Sequence, residues 1–473
     1  MRKHVLATAA FCAAATLGTA ALTTATAATP AATPAGAPVP AKPRTADFNG
    51  DGYPDLAIGA HTATVNGIKG AGVVTVAYGS AGGLKLDTAT VVSRATPGVP
   101  GDPAENDKWR AISGFGDLDG DGYDDLLVRH RESTLVLWGG KAGLTGASTA
   151  VTGSGTAADP KVLAGFHGVG DVNGDGTDDL VTRGHDGAEY GVSVFLGPLD
   201  RATGKAAKVW HRNTQRVDGF SVGISLYVGD MTGDRTDDIV LTGLGGPGLV
   251  LKGGAAGLAP GAKLQMDGSG GAGTFGDLDK DGYQDLVIGL GGRVSVQYGG
   301  PNGASTTRPR GIYGQDQRGI PGVEQSGDGW GNAVSIADTN RDGYPDLLVG
   351  APGKSGNQLG EEHSGSLTVL FGSSGGGFGG TGGGQYLDQN TRGIPSTSEY
   401  QDRFGAAVVA IDGDKDGNPE VYVGGHGEDG YTGRVWKLHT SATGLTGTGA
   451  TSFGLTALGG PAGWANFGYR LLG

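Results

Sequence analysis

A nine-residue acidic motif recurs seven times along the chain and constrains the fold more than any other feature. The pattern is Asp-x-Asx-x-Asp-Gly-x-x-Asp, whose residues are numbered here as loop positions 1 to 9. The copies begin at Asp47, Asp117, Asp171, Asp230, Asp277, Asp338 and Asp412. Because self-similarity at this scale is typical of repeat architectures, we expect one structural unit per copy.

The segments around each copy predict strands. A short aliphatic run follows the motif at once, as in residues 56–60 and 347–351, and a second run with period-2 alternation comes later, as in 74–78 and 367–371. Such alternation is typical of β-strands. Four-stranded units repeated radially form a β-propeller. The sequence therefore predicts an all-β, seven-bladed β-propeller over residues 45–473.

The motif also predicts a calcium loop within each blade hairpin. Ca²⁺ takes about 6–8 oxygen ligands, and carboxylates at positions 1, 3, 5 and 9 with the carbonyl of position 7 can converge on one ion. A glycine at position 6 permits the sharp turn. We expect up to seven Ca²⁺ ions, held by Asp47, Asn49, Asp51, Tyr53, Asp55, Asp117, Asp119, Asp121, Tyr123, Asp125, Asp171, Asn173, Asp175, Thr177, Asp179, Asp230, Thr232, Asp234, Thr236, Asp238, Asp277, Asp279, Asp281, Tyr283, Asp285, Asp338, Asn340, Asp342, Tyr344, Asp346, Asp412, Asp414, Asp416, Asn418 and Glu420.

Two other interpretations of the motif are an EF-hand and an ordinary turn. An EF-hand needs a Glu at position 12 and flanking helices, but that position is Ile58 in the first copy and lies in a strand run. Asp, Asn and Gly also form ordinary turns, yet seven copies with one ligand spacing favour calcium. The copy at Asp230 has Arg235 where the others have Gly, so we expect the weakest site there.

The repeats resemble the FG-GAP repeat of integrin α-subunit propellers and of secreted bacterial repeat proteins. Trp330-Gly331 before the sixth motif and Gly350-Ala351-Pro352 after it form the best copy, and Phe404-Gly405 begins the next best. The chain ends on another such strand at Phe467-Gly468, which no motif follows. Since no strand precedes the first motif, we expect the last strand to pair beside residues 56–60 and close the ring of blades.

The N-terminal region predicts export. Residues 1–27 begin with basic residues, continue with an apolar stretch and end in Ala25-Thr26-Ala27, which together are typical of a cleaved signal peptide. Residues 28–44 are a Pro/Ala-rich linker. Cleavage would remove Cys12, the only cysteine, so we expect calcium to stabilise a secreted chain that has no disulfides.

Composition restricts the partners. The formal net charge of −13 argues against nucleic acid, and apart from the N-terminus no apolar run approaches the ~20 residues of a membrane span. We expect a monomer without a membrane-spanning segment.

The face opposite the calcium loops is predicted to carry a ligand surface. Histidines recur just after the second strand of four neighbouring blades, with arginines beside them. The candidate residues are His61, His130, His185, His426, Arg129 and Arg183. This arrangement suits an acidic or hydroxyl-rich ligand, although turn histidines also bond local carbonyls with no further role.

Three functions remain open from the sequence. The first is a calcium-stabilised extracellular binding or adhesion module for protein or glycan, which the resemblance to integrin α favours. The second is a carbohydrate-active enzyme, a polysaccharide lyase or hydrolase on a propeller, although no His-Glu-x-x-His or phosphate loop occurs. The third is a structural protein of the cell surface. We expect no enzymatic activity.

Overall fold

The structure is a computed structural model. It describes residues 44–473 except 108, 110, 131–132, 152–160, 186–189, 215–222, 244–245, 269 and 380–382. The predicted signal peptide and all but the last residue of the predicted linker lie outside this part. Within it, no helix is both long enough and apolar enough to cross a membrane.

Short strands make up nearly all of the regular structure. In chain order the strands are β1 (Leu56–Ala60), β2 (Val73–Tyr78), β3 (Lys85–Val92), β4 (Ala111–Gly116), β5 (Asp125–His130), β6 (Ser133–Leu137), β7 (Ser148–Val151), β8 (Lys161–Gly170), β9 (Asp179–His185), β10 (Tyr190–Leu199), β11 (Ala206–Arg212), β12 (Gly223–Gly229), β13 (Asp238–Gly243), β14 (Gly248–Lys252), β15 (Ala259–Leu264), β16 (Gly273–Gly276), β17 (Asp285–Gly289), β18 (Arg293–Gln297), β19 (Gly311–Gly314), β20 (Ala333–Ala337), β21 (Asp346–Ala351), β22 (Ser366–Leu370), β23 (Gly384–Leu387), β24 (Ala407–Ile411), β25 (Glu420–Gly425), β26 (Arg434–Ser441), β27 (Gly444–Phe453) and β28 (Arg470–Leu472). Single helical turns occur at Glu428–Tyr431 and Leu455–Leu458.

These strands form seven antiparallel four-stranded sheets, which confirms the predicted seven-bladed β-propeller. Blades 2 to 7 each take four consecutive strands, beginning with β4–β7 and ending with β24–β27. Blade 1 combines β1–β3 with β28 in the order β28-β1-β2-β3. The last strand therefore pairs beside β1, with Ala57 opposite Leu472 and Gly59 opposite Arg470, as predicted.

The hydrophobic core lies between the blades. Seven clusters of buried apolar side chains are present, and each joins two neighbouring blades. The cluster between blades 7 and 1 includes Tyr422, Leu56 and Leu471, so the last strand contributes to the core that closes the ring. Because blades pack on both faces of each sheet, inner strands such as β1 and β2 are buried at every residue and appear in the sequence as continuous apolar runs.

Pairs of glycines lie where neighbouring blades approach each other most closely in three of the blade contacts. The glycine that begins an innermost strand lies against a glycine in the second strand of the preceding blade. The pairs are Gly331 with Gly289, Gly405 with Gly350, and Gly468 with Gly424. A Cβ atom on Gly350 would overlap the carbonyl oxygen of Gly405. Glycine is therefore required where two blade backbones approach this closely.

Candidate functional site

The seven acidic loops share one hydrogen-bond framework. Each loop connects the first and second strands of its blade, except in blade 1, where it precedes β1. In every loop the position-1 carboxylate accepts hydrogen bonds from the backbone N–H groups of positions 5 and 6, as Asp47 does from Asp51 and Gly52 at 3.1 and 2.8 Å. In every loop the position-5 carboxylate accepts from the N–H of position 7. The seven copies therefore fold alike.

The position-9 aspartate connects each loop to its own sheet. In blade 2, Asp125 is fully buried and accepts from the N–H groups of Leu118 in the loop and Gly139 at the end of the third strand, at 3.0 and 2.8 Å. Equivalent aspartates in blades 1, 3, 4, 5 and 6 make the same type of pair. Burial raises the pKa of Asp125 and of Asp285 to about 8, against the opposing effect of these hydrogen bonds.

Two positions in each loop have left-handed backbone. Position 6 has φ of +85° at Gly52, and the same region is imposed on Arg235 at +71°. Position 4 is also left-handed, and it is occupied by lysine or arginine in three loops, for example Lys280 at +58°. Lys280 lies 4.7 Å from the ring centroid of Tyr344 in the next blade. The motif predicted the turn at position 6, whereas the left-handed backbone at position 4 was not expected from it.

The donor geometry of the loops fits a hard divalent cation. Oxygen atoms of Asp117, Asp119 and Asp125 lie within 4.8 Å of one another, and the same holds for Asp277, Asp279 and Asp285 and for Asp412, Asp414 and Asp416. These are the three copies that have acids at positions 1, 3, 5 and 9. Carboxylate oxygens at this spacing are the ligands that Ca²⁺ prefers.

Buried oxygens without partners also occur at ligand positions. Among the described residues, Oγ1 of Thr232, Oδ1 of Asp279 and Oε2 of Glu420 are buried and have no hydrogen-bond partner. An unsatisfied buried polar atom costs about 1–3 kcal/mol, and a bound cation would remove that cost. In blade 7 the other oxygen of Glu420 lies 3.4 Å from Nζ of Lys437, and this carboxylate is not part of the acidic cluster of its loop.

Arginines contact two of the acidic clusters. Arg201 pairs with Asp119 and Asp121 in the blade 2 loop, the latter at 2.5 Å. Arg308 pairs with Asp279 of blade 5 at 2.9 Å. These guanidinium groups supply positive charge to the loops that have the most carboxylates.

Position 8 joins neighbouring blades. Side-chain oxygens of Asp124, Asp178 and Gln284 accept from the backbone N–H of the position-1 residue in the preceding blade, at 2.8 to 3.0 Å. Arg44 pairs with Asp178 at 2.5 Å and with Asp237, also at position 8, at 3.3 Å. The sequence contained a signal for this role, since position 8 is Asp or Gln in blades 2 to 5 and Pro in blades 1, 6 and 7.

Three of the six predicted ligand residues, on the face opposite the loops, lie in two separate places. His61 and His426 both contact the ring of Tyr469, at centroid distances of 4.5 and 5.2 Å. Burial, followed by the charge of Arg403, lowers the pKa of His426 to about 4. Arg129 lies apart from this pair and lines a cavity at the centre of the ring of blades.

Three other predicted residues lie at strand ends on the same face. His130 and His185 end β5 and β9, and their side chains lie outside the described part of the structure. Arg183 is half-buried in β9. The six residues are therefore not shown to form a common surface, and their role in ligand binding stays a prediction.

Fold and loops define this protein as a seven-bladed β-propeller with an acidic loop in each blade. Comparison with family models identifies the repeat. Residues 42–76 and 330–370 match the FG-GAP repeat, and residues 117–182 match an FG-GAP-like repeat. The chain thus carries FG-GAP repeats, as the sequence predicted.

Curated relatives share about a third of the chain. Phosphatidylinositol-glycan-specific phospholipase D is 30% identical over 162 residues in Mus musculus and 31% identical over 165 residues in Homo sapiens, each match covering 32% of this chain. Integrin alpha-3 of Mus musculus is 33% identical over 150 residues, again 32% of the chain. The matches span only 17%, 18% and 13% of these relatives.

Two solved structures resemble the fold over most of its length. An Agrocybe aegerita lectin, described as recognising non-reducing terminal N-acetylglucosamine, has a TM-score of 0.39 and 17% identity and covers 74% of this chain and 80% of its own. The complex of BBS1N with ARL6DN has a TM-score of 0.42 and 11% identity and covers 71% of this chain and 81% of its own.

Proposed function

We propose that this protein is a secreted, calcium-stabilised binding module whose partner is an extracellular protein or glycan. The observation that carries the proposal is the convergence of carboxylate oxygens in the loops of blades 2, 5 and 7, on a backbone framework that all seven loops share. Unpartnered oxygens of Asp279 and Glu420 also support an ion in the loops of blades 5 and 7, and that of Thr232 supports one in the loop of blade 4. The relation to integrin alpha-3 favours a binding role for the propeller.

Calcium would supply positive charge at the centre of each loop. It would be held by positions 1, 3, 5 and 9 and by the carbonyl of position 7. The position-9 aspartates already connect the loop to the sheet, so an ion on them would couple loop order to blade stability. Its removal would leave many carboxylates close together in a chain of net charge −13.

Thermal unfolding in calcium and in EDTA tests the metal part of the proposal. We expect EDTA to lower Tm, and Asp117→Asn and Asp277→Asn to reduce the gain that calcium gives. Asp87→Asn is the matched control, because Asp87 is exposed on β3, outside the loops. A Tm that EDTA leaves unchanged would contradict calcium stabilisation.

A glycan and matrix-protein array tests the binding part. The protein is applied in calcium and in EDTA, with released product assayed in parallel. We expect calcium-dependent binding without product. Product release would instead support the second candidate, a carbohydrate-active enzyme, and absence of both signals would favour a structural role at the cell surface.

A further inference from the structure

A cavity of about 730 Å³ lies at the centre of the ring of blades. Its wall includes residues near the beginning of innermost strands, such as Ser113 in β4, Ser225 in β12 and Arg470 in β28. The innermost strands of the blades surround a central channel. Each of these strands runs toward its acidic loop, or in blade 1 toward the C-terminus, so the cavity lies at the end of this channel that is opposite the loops. Its volume is within the range of about 300–1,000 Å³ that is usual for small-ligand pockets.

The charged side chains among the described lining residues are positive, whereas the protein as a whole has a net negative charge. The described lining residues of the cavity include Arg129 and Arg470 but no Asp or Glu, although the whole chain has 48 acidic and 35 basic residues. The two arginines come from neighbouring blades, since Arg129 lies in β5 of blade 2 and Arg470 lies in β28 of blade 1. An anion in the channel would therefore meet positive charge from two blades.

The imidazole of His167 in the wall is positioned by two hydroxyl groups. His167 is buried, and its Nε2 lies 2.5 Å from Oγ1 of Thr134 while its Nδ1 lies 3.5 Å from Oγ of Ser113. Burial, followed by the charge of Arg129, lowers the pKa of His167 to about 4. At neutral pH the imidazole is uncharged, so it offers hydrogen bonding without adding charge. The exposed Asn332 adds an amide to the wall.

Another part of the described wall is formed by Gly270, Gly271 and Gly273. Residues 270–271 accept hydrogen bonds from the hydroxyls of Ser225 and Tyr227, the latter to the carbonyl of Gly271 at 3.0 Å. A Cβ atom on Gly270 or Gly273 would overlap the side chain of Tyr227. Tyr227 and the glycine segment therefore fix each other on this side of the cavity.

We propose that this channel binds the anionic end of a glycan, a uronate sugar whose carboxylate lies between Arg129 and Arg470. Guanidinium groups match carboxylates with paired hydrogen bonds, and the hydroxyl, imidazole and amide groups of the wall suit sugar hydroxyls. A sugar phosphate shares the anionic chemistry and is the alternative source. The proposal rests on the proposed binding function, for which it specifies the site and the ligand class.

Titration calorimetry of the full protein in calcium tests the site. The probes are digalacturonate, a neutral galactose disaccharide and galactose 1-phosphate. We expect digalacturonate to bind and the neutral sugar not to bind. Arg129→Gln and Arg470→Gln should each weaken digalacturonate binding at least tenfold. Arg293→Gln is the control with the same charge change, because Arg293 forms an exposed ion pair with Asp316 and is not among the described residues that line the cavity.

Several outcomes would overturn the proposal. These are absence of digalacturonate binding, equal binding of the neutral sugar, tighter binding of the phosphate, or binding that both arginine variants retain. Arg470 lies in the strand that closes the ring, so its substitution can also destabilise the fold. Tm is therefore measured for each variant, and if Arg470→Gln unfolds, the result for Arg129→Gln alone decides. If the array shows calcium-dependent binding that Arg129→Gln leaves intact, the channel proposal fails while the binding function stands. If digalacturonate binds and Arg129→Gln weakens this binding while the array gives no signal, the channel site stands and binding to the proteins and glycans of the array fails.

Discussion

At the scale of single residues, the same motif position can serve the metal site or the fold. Positions 1 and 5 hold the loop backbone through hydrogen bonds, and position 9 is buried against the sheet. An acid that satisfies backbone N–H groups can still present a lone pair to an ion, since each carboxylate has about four acceptor sites. The hydrogen bonds that make the motif a turn are therefore compatible with the calcium site proposed for it.

Arg235 is the residue that sets the blade 4 loop apart. Its φ of +71° costs a non-glycine residue about 1–2 kcal/mol, and its charge lies within an acidic loop. We expect Arg235→Gly to raise the calcium affinity of this loop, measured as tighter or additional binding in calorimetry. Arg235→Lys keeps both the charge and the Cβ atom and is the control, so an equal gain in this variant would count against the explanation.

His167 predicts a pH dependence of stability. Its folded pKa of about 4 is below the unfolded value of 6.5, so the unfolded chain binds the proton more readily. Stability is complete above pH 6.5 and is lost as the pH falls toward 4, by at most about 3 kcal/mol.

Denaturant unfolding between pH 4 and 8 measures this effect. We expect His167→Gln to reduce the acid loss while lowering stability at pH 8 through the changed contact with Thr134. An unchanged slope between pH 6.5 and 4 would refute the assignment.

At the scale of elements, the blades are joined by recurring contacts between neighbours. In blades 2, 3 and 5 the position-8 side chain bonds to position 1 of the preceding loop, and paired glycines join blade 5 to 6, 6 to 7 and 7 to 1 on the other side. Such contacts bind each blade to the next along the ring. Blade 1, which has only three strands at the N-terminal end of the ring, therefore needs β28 from the C-terminus as its fourth strand.

The glycine pairs give a direct test. We expect Gly350→Ala to lower the free energy of unfolding by about 2–4 kcal/mol, because its Cβ atom would overlap the backbone of Gly405. Gly375→Ala is the control, since nothing lies within 4 Å of a Cβ atom at that position. Equal unfolding midpoints in urea for the two variants would contradict the close-approach argument.

At the scale of the whole molecule, closure depends on three residues of β28 and the segment before them. Leu471 and Phe467 are buried in the cluster between blades 7 and 1, and Oδ1 of Asn466 accepts from the hydroxyl of Thr62 at 2.7 Å. The chain end thus completes both the sheet of blade 1 and the adjoining core. Without it, β1 would present an unpaired edge.

Removal of residues 464–473 should therefore abolish cooperative unfolding. We expect a broad thermal transition and binding of hydrophobic dye at low temperature. Leu471→Asp should have a milder effect in the same direction, while Trp464→Ser, at a side chain that is 65% exposed, should leave the transition sharp. A sharp transition in the truncated protein would show that the ring does not need its last strand.

Much of the fold followed from the sequence because the motif is local. Nine residues contain both the turn and its ligands, so seven copies predicted seven blades without any knowledge of contacts between them. Strand pairing within a blade also followed, since the runs lie close together along the chain. The unmatched ends at Asp47 and Phe467 even predicted how the ring closes.

The central cavity could not be predicted in this way. Arg129, His167 and Arg470 belong to three blades and are far apart in the sequence, and only the closed ring brings them around one space. The contacts of Arg44 with Asp178 and Asp237 likewise join residues that are far apart in the sequence. The sequence selected Arg129 from its position after a strand, but it could not show that Arg129 faces the channel while His61 and His426 pack on Tyr469.

The sequence by itself thus determined the repeat unit, the number of blades, the acidic loop of each blade and the closing strand, because these depend on residues close in the chain or on matching ends. The tertiary structure decided which side chains meet between blades and which line the channel, because both depend on the packing of seven sheets around one axis. The separation of charge between acidic loops and an arginine-lined channel arises only at that level.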